Sequence, residues 1–99
     1  MELPLSHELF ASSETVYDKL ASRAVTFERA DGAHGARVTF PDMNYLVIWS
    51  MNNGNYVCIE PWTGLPTCSD EDDVLEHKRG CIIVKPGEVA VRGFAIELF

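Results

Sequence analysis

The chain has 99 residues, enough for one domain spanning 1–99 and too few for two. Hydrophobic residues make up 46% and charged residues 23%, the balance of a chain that buries a core and not of a disordered one. Eight basic against 15 acidic side chains leave a net charge of −7, which disfavours nucleic acid and anionic membrane because binding would add repulsion.

No stretch approaches the ~18 to 20 apolar residues that a spanning helix needs. The N-terminus, Met1-Glu2-Leu3-Pro4, has no basic segment ahead of an apolar run, which argues against a secretory signal. The cysteines Cys58, Cys68 and Cys81 are odd in number, and no CxxC or Cys/His ligand cluster accompanies them. That pattern predicts reduced thiols, a cytoplasmic protein and no zinc or other metal site. Cys58 and Cys81 lie in apolar runs and read as small core residues.

In chain order, the first candidate element is 13–20. Ser12 or Ser13 would cap a helix there, and Thr15-Val16-Tyr17 fits a strand equally well. Next come Ala24-Val-Thr-Phe-Glu28 and Gly35-Ala-Arg-Val-Thr-Phe40, two β-prone runs joined through Asp31-Gly32. This is a hairpin signature. Pro41 ends the second strand. A second hairpin is predicted from 45–51 and 55–60 about Asn52-Asn53-Gly54, a turn with left-handed chemistry. A third is predicted from 80–85 and 88–98 about Pro86-Gly87, where Pro at i+1 and Gly at i+2 suit a type II turn.

The strand at 45–51 is apolar on both faces. Tyr45, Val47 and Trp49 point one way while Leu46 and Ile48 point the other. A sheet with one wet face would alternate more cleanly, so this strand is expected between two layers or at an interface. The predicted fold is all-β, an antiparallel β-sandwich of hairpins.

Between the second and third hairpins, 61–79 reads as one long irregular loop, and loops of this length in compact chains are more often functional than idle. It carries the acidic run Asp70-Glu71-Asp72-Asp73, which reads as solvated surface because it lacks the alternating ligands and glycine of a calcium loop. His77, followed by Lys78-Arg79, reads as part of an exposed charge cluster. His34 falls in a turn and His7 at a surface or strand edge.

One carboxylate stands out. Glu60 ends the run Asn55-Tyr-Val-Cys-Ile-Glu60 and is followed at once by Pro61 and Trp62. By alternation it shares a face with Tyr56 and Cys58. On an apolar strand beside an indole it would be partly desolvated, a setting suited to general acid or base work. The plain alternative is a strand-end glutamate turned to water. Trp62 adjoins Glu60 and could stack on a ligand; Trp49 could do the same, although core packing is the commoner fate of a strand tryptophan.

Three blocks, Phe40-Pro-Asp-Met-Asn-Tyr-Leu-Val-Ile-Trp49, Val57-Cys-Ile-Glu-Pro-Trp-Thr-Gly64 and Lys78-Arg-Gly-Cys-Ile-Ile-Val-Lys-Pro-Gly-Glu88, resemble the C-terminal portion of aldose 1-epimerases. The resemblance is to the galactose-mutarotase-like branch whose catalytic strand reads Cys-Ile-Glu-Pro-Trp. Leu3-Pro-Leu-Ser-His-Glu-Leu-Phe10 and Ser22-Arg-Ala-Val25 match that branch in order, so nearly the whole chain is covered. A mild departure is Val47, where relatives often have Gly.

Such proteins are much longer chains folded as a large antiparallel supersandwich, and the resemblance corresponds to their final third. It implies an isomerase acting on the anomeric carbon of a hexose, with Glu60 as general base and no cofactor. The histidine that protonates the ring oxygen, and an arginine that grips the sugar, belong to upstream segments in that family. His7, His34 and His77 do not fall at the catalytic-histidine position. Half of a two-proton reaction is therefore expected in this chain.

Alternatives of other classes are a carbohydrate-binding or vestigial module without turnover, and a structural piece that pairs with another chain. That other chain would be a second copy, making a homo-oligomer, or a separate N-terminal part. Leu46, Ile48, Val57, Ile59, Ile82 and Val84 are expected to include side chains left facing water in a monomer.

Overall fold

A computed structural model describes residues Met1–Phe99. It contains six strands in two three-stranded antiparallel sheets. They are β1 (Thr15–Tyr17), β2 (Ala24–Glu28), β3 (Gly35–Thr39), β4 (Tyr45–Trp49), β5 (Cys58–Trp62) and β6 (Ala95–Leu98). One sheet has the order β1-β4-β5 and the other β2-β3-β6. The fold is all-β, as the sequence predicts.

The first hairpin forms as expected, with Ala24 opposite Thr39 and Glu28 opposite Gly35. Gly32 takes φ +68° at its turn, and the Asp31 carboxylate accepts the Ala33 N–H at 3.0 Å. The second hairpin also forms, but β5 starts at Cys58 instead of residue 55 and runs on through Pro61 to Trp62. Pro61 is tolerated because β5 is an edge strand, where a missing N–H breaks no ladder. In the connecting turn it is Asn53, at φ +63°, that adopts the left-handed conformation. At 13–20 the strand alternative holds: β1 pairs with β4, Val16 opposite Val47.

The third hairpin does not form. Its turn is present, with Gly87 at φ +84° and the Glu88 N–H donating to the Lys85 carbonyl at 2.9 Å. The arms on either side do not pair with each other; only β6 is a strand, and it pairs with β3. Local turn chemistry is satisfied within four residues, whereas arm pairing depends on what packs against the arms. Ile82, Ile83, Val84, Val89 and Val91 are exposed.

The core lies between the sheets. Leu46 and Ile48 on one face of β4 meet Val38 of β3 and Phe40, and Phe10 joins them from a single 3-10 turn at His7–Phe10. Arg23 fastens the crossover: its guanidinium donates to the Leu20 carbonyl and, at 2.8 Å, to the Met43 carbonyl, and lies 5.5 Å over the Phe40 ring. Of the side chains expected to face water, Leu46 and Ile48 are buried, Val57 and Ile59 half-buried, and Ile82 and Val84 exposed. Cys58 and Cys68 are half-buried, but Cys81 is exposed and is not a core residue. The unpaired arm that carries Cys81 has no layer over it.

Only eight of 99 residues are buried. The accessible surface is 7364 Å², against roughly 5,600 Å² for a compact chain of this mass. The radius of gyration is 15.9 Å, against about 13 Å for a compact domain of this length. All of the last 19 residues are exposed, and they hold half of the exposed large hydrophobic residues of the chain. No helix is long and apolar enough to cross a membrane.

Candidate functional site

The face of the β1-β4-β5 sheet that turns away from the core carries the site. Register places Val47 opposite Glu60, Tyr45 opposite Trp62 and Trp49 opposite Cys58. Alternation then brings Val47, Trp49, Glu60 and Trp62 to one face. Val47 is fully buried and forms the floor of an open cleft of about 340 Å³ lined by Glu14, Trp49, Glu60 and Trp62.

Glu60 is held at both oxygens. Trp49, diagonal to it across the strand pair, donates its indole N–H to Oε1 at 2.5 Å. Trp62, two residues along β5 on the same face, donates to Oε2 at 3.0 Å. Trp49 also meets the Tyr56 ring edge-on, with centroids 6.4 Å apart and planes at 84°. The Tyr56 hydroxyl in turn accepts the Met51 N–H at 3.2 Å. The β4–β5 connection thus braces one indole, and strand geometry places the other.

The long loop closes on itself beside this face. Its ends meet where Gly80, at φ +75°, packs against Thr63 and Gly64. A Cβ on Gly80 would lie 2.4 Å from the Thr63 carbonyl oxygen and 3.1 Å from the Tyr45 ring. The acidic run is surface, as expected, with Asp70, Asp72 and Asp73 exposed, and three of its four carboxylates pair with the basic residues that follow it. Asp70 binds Arg79 through both oxygens at 2.6 and 2.7 Å. Glu71 accepts from Lys78 at 3.0 Å, and Asp72 from the His77 ring at 2.7 Å.

These contacts shift titrations. The Cys68 backbone N–H, and then Lys78, hold the Glu71 carboxyl below the usual carboxylate range. The His77 hydrogen bond, helped by the Val74 N–H, does the same for Asp72. Asp70 raises Arg79.

No histidine reaches the cleft. His7 donates from Nε2 to the Gly54 carbonyl at 3.1 Å, His77 is paired with Asp72, and His34 is exposed in its turn. The site residue that the sequence reading missed is Glu14. It lies two residues before Val16, on the same face, and lines the cleft with Glu60. Alternation along β1 carries that signal, but only once β1 is known to pair with β4.

Two curated proteins of Lactococcus lactis subsp. lactis match the chain, one named Protein LacX, chromosomal, and the other Protein LacX, plasmid. Each is 33% identical over 97 residues, which cover 97% of this chain and 32% of the relative. The chain is similar to LacX over almost its whole length. It spans about a third of the length of the LacX proteins. No family model matches the chain, and no solved structure does. The similarity to LacX includes the strands that build the cleft.

Proposed function

We propose that this chain is the C-terminal part of an aldose 1-epimerase-like protein that acts on the anomeric carbon of a hexose. The observation that carries the reading is the Glu60 carboxylate, held between two indole N–H donors on an open cleft with aromatic walls. Aromatic faces suit the apolar face of a sugar ring, and a fixed carboxylate suits its hydroxyls. The Cys58-Ile-Glu-Pro-Trp62 block and the similarity to LacX support the same reading.

Glu60 would take the proton of the C1 hydroxyl while another group protonates the ring oxygen. The C1–ring-oxygen bond breaks, the aldehyde rotates, and the ring closes with the proton transfers reversed. Each transfer needs a positioned group and is worth typically 10² to 10⁴ in rate. Within a single copy no histidine reaches the cleft to act as the second group. It would come from a complementary part laid over the exposed face, either a second copy or a separate N-terminal part. Trp62 would contact the sugar.

The missing second group also favours a runner-up, a carbohydrate-binding module without turnover. Two measurements test what the two readings share. Polarimetry of the chain alone is expected to show anomer interconversion of glucose or galactose near the uncatalysed rate. Tryptophan emission is expected to change on adding hexose, because both tryptophans of the chain line the cleft. A silent emission spectrum at saturating sugar would overturn both readings. Catalysis by the chain alone that survives in Glu60→Gln would overturn the role of Glu60.

A further inference from the structure

We propose that Trp49 and Trp62 form an uncharged clamp that fixes the Glu60 carboxylate, so that Trp49 acts as a positioning residue through its N–H. The inference rests on reading Glu60 as the base, and it gives Trp49 a role beyond core packing.

A carboxylate offers about four acceptor sites, two on each oxygen. Here each oxygen receives one indole N–H, at 2.5 and 3.0 Å, and the donors come from different strands. One donor alone would leave the group free to rotate about the bond to Cδ. Two donors on opposite oxygens remove that rotation and leave one acceptor site per oxygen for a ligand in the cleft.

The uncharged nature of the donors matters. An arginine could also hold both oxygens, but it would set a full positive charge against the carboxylate. Four other carboxylates of the chain, Asp31, Asp70, Glu71 and Asp72, are paired with basic side chains. Glu60 forms no salt bridge, although it is half-buried. The indoles therefore orient the group without neutralising it, which is what proton abstraction requires. Tyr56 packing edge-on at 6.4 Å fixes the ring that supplies the shorter bond.

The test is spectroscopic and needs no sugar. The full chain has two tryptophans, so its proton spectrum has two indole N–H signals, one for each arm of the clamp. As pH is lowered through the carboxylate range, both signals are expected to shift with a single common midpoint. The other groups near Glu60 are Glu14 in the cleft and Cys58 on the same face. Glu14→Gln should leave the common titration in place, and Glu60→Gln should abolish it. Should Glu60→Gln fail to fold, Trp49→Phe keeps the ring and removes the donor, and is expected to shift the Trp62 indole N–H signal at neutral pH, because the carboxylate it binds is no longer held from both sides. Separate midpoints, a titration that persists in Glu60→Gln, or an unshifted Trp62 signal in Trp49→Phe would each overturn the clamp. Lack of hexose binding would overturn the functional reading and leave the clamp standing.

Discussion

Val47 stands directly opposite Glu60 in the β4–β5 pair, and its side chain is fully buried beneath the cleft that Glu60 lines. A branched apolar floor under a carboxylate keeps water from one side of the group and leaves the other side open. It also makes Val47 part of two structures at once, the packing of the sheet and the depth of the cleft.

Val47→Ala removes two methyl groups from that floor. The expected loss is about 2 to 3 kcal/mol of stability, read as a lower urea midpoint at unchanged slope. Tryptophan emission should change with it, because both indoles border the new space. A midpoint equal to that of the parent chain would mean that Val47 is not packed as described.

Gly80 and Gly87 both have positive φ, but they differ in surroundings. A Cβ at Gly80 meets the Thr63 carbonyl at 2.4 Å, whereas at Gly87 nothing lies within 4 Å. Gly87→Ala should therefore cost about 1 kcal/mol of backbone strain, and Gly80→Ala clearly more. Limited proteolysis offers the direct comparison: Gly80→Ala should open 65–79 to cleavage, and Gly87→Ala should not. Equal protection in the two variants would contradict the closure of the loop by Gly80.

The acidic loop should loosen in acid. Glu71 and Asp72 have folded-state pKa values below their usual range, so their pairings contribute stability above that range. The contribution is lost as the pH falls through the lowered folded values. Protease sensitivity within 65–79 is expected to rise there, ahead of global unfolding. Asp72→Asn should weaken protection at neutral pH, and the effect at this exposed pair should shrink in high salt. Unchanged protection down to the global acid transition would show that the pairs do not hold the loop.

The unpaired arms should drive association. Ile83 is 60% exposed and Val91 72%, and neither residue lies in a strand. Exposed apolar patches and free strand backbone both invite a second chain. Sedimentation at micromolar concentration is expected to give a mass of at least two chains, and Ile83→Glu with Val91→Glu should reduce it to one. The charge of −7 per chain opposes pairing, but salt screens it beyond about 8 Å. A monomer with sharp, dispersed amide resonances would refute this.

The sequence by itself determined the elements whose signals are local. Asp31-Gly32, Asn53-Gly54 and Pro86-Gly87 each produce their turn, because φ is decided within a few residues. Alternation along 55–60 likewise placed Glu60 on one face with Cys58. What only the tertiary structure decided was long-range. The pairing of β1 with β4, which brings Glu14 to the cleft, joins residues some thirty positions apart across a whole hairpin. The pairing of β6 with β3 instead of with 80–85 is of the same kind. Trp49 and Trp62 meeting at one carboxylate depends on a one-residue register that either strand alone leaves open. The physical reason is common to all three. A turn is stabilised by its own residues, whereas a strand chooses its neighbour by the apolar surface the pairing buries, and that surface exists only once the sheets have met.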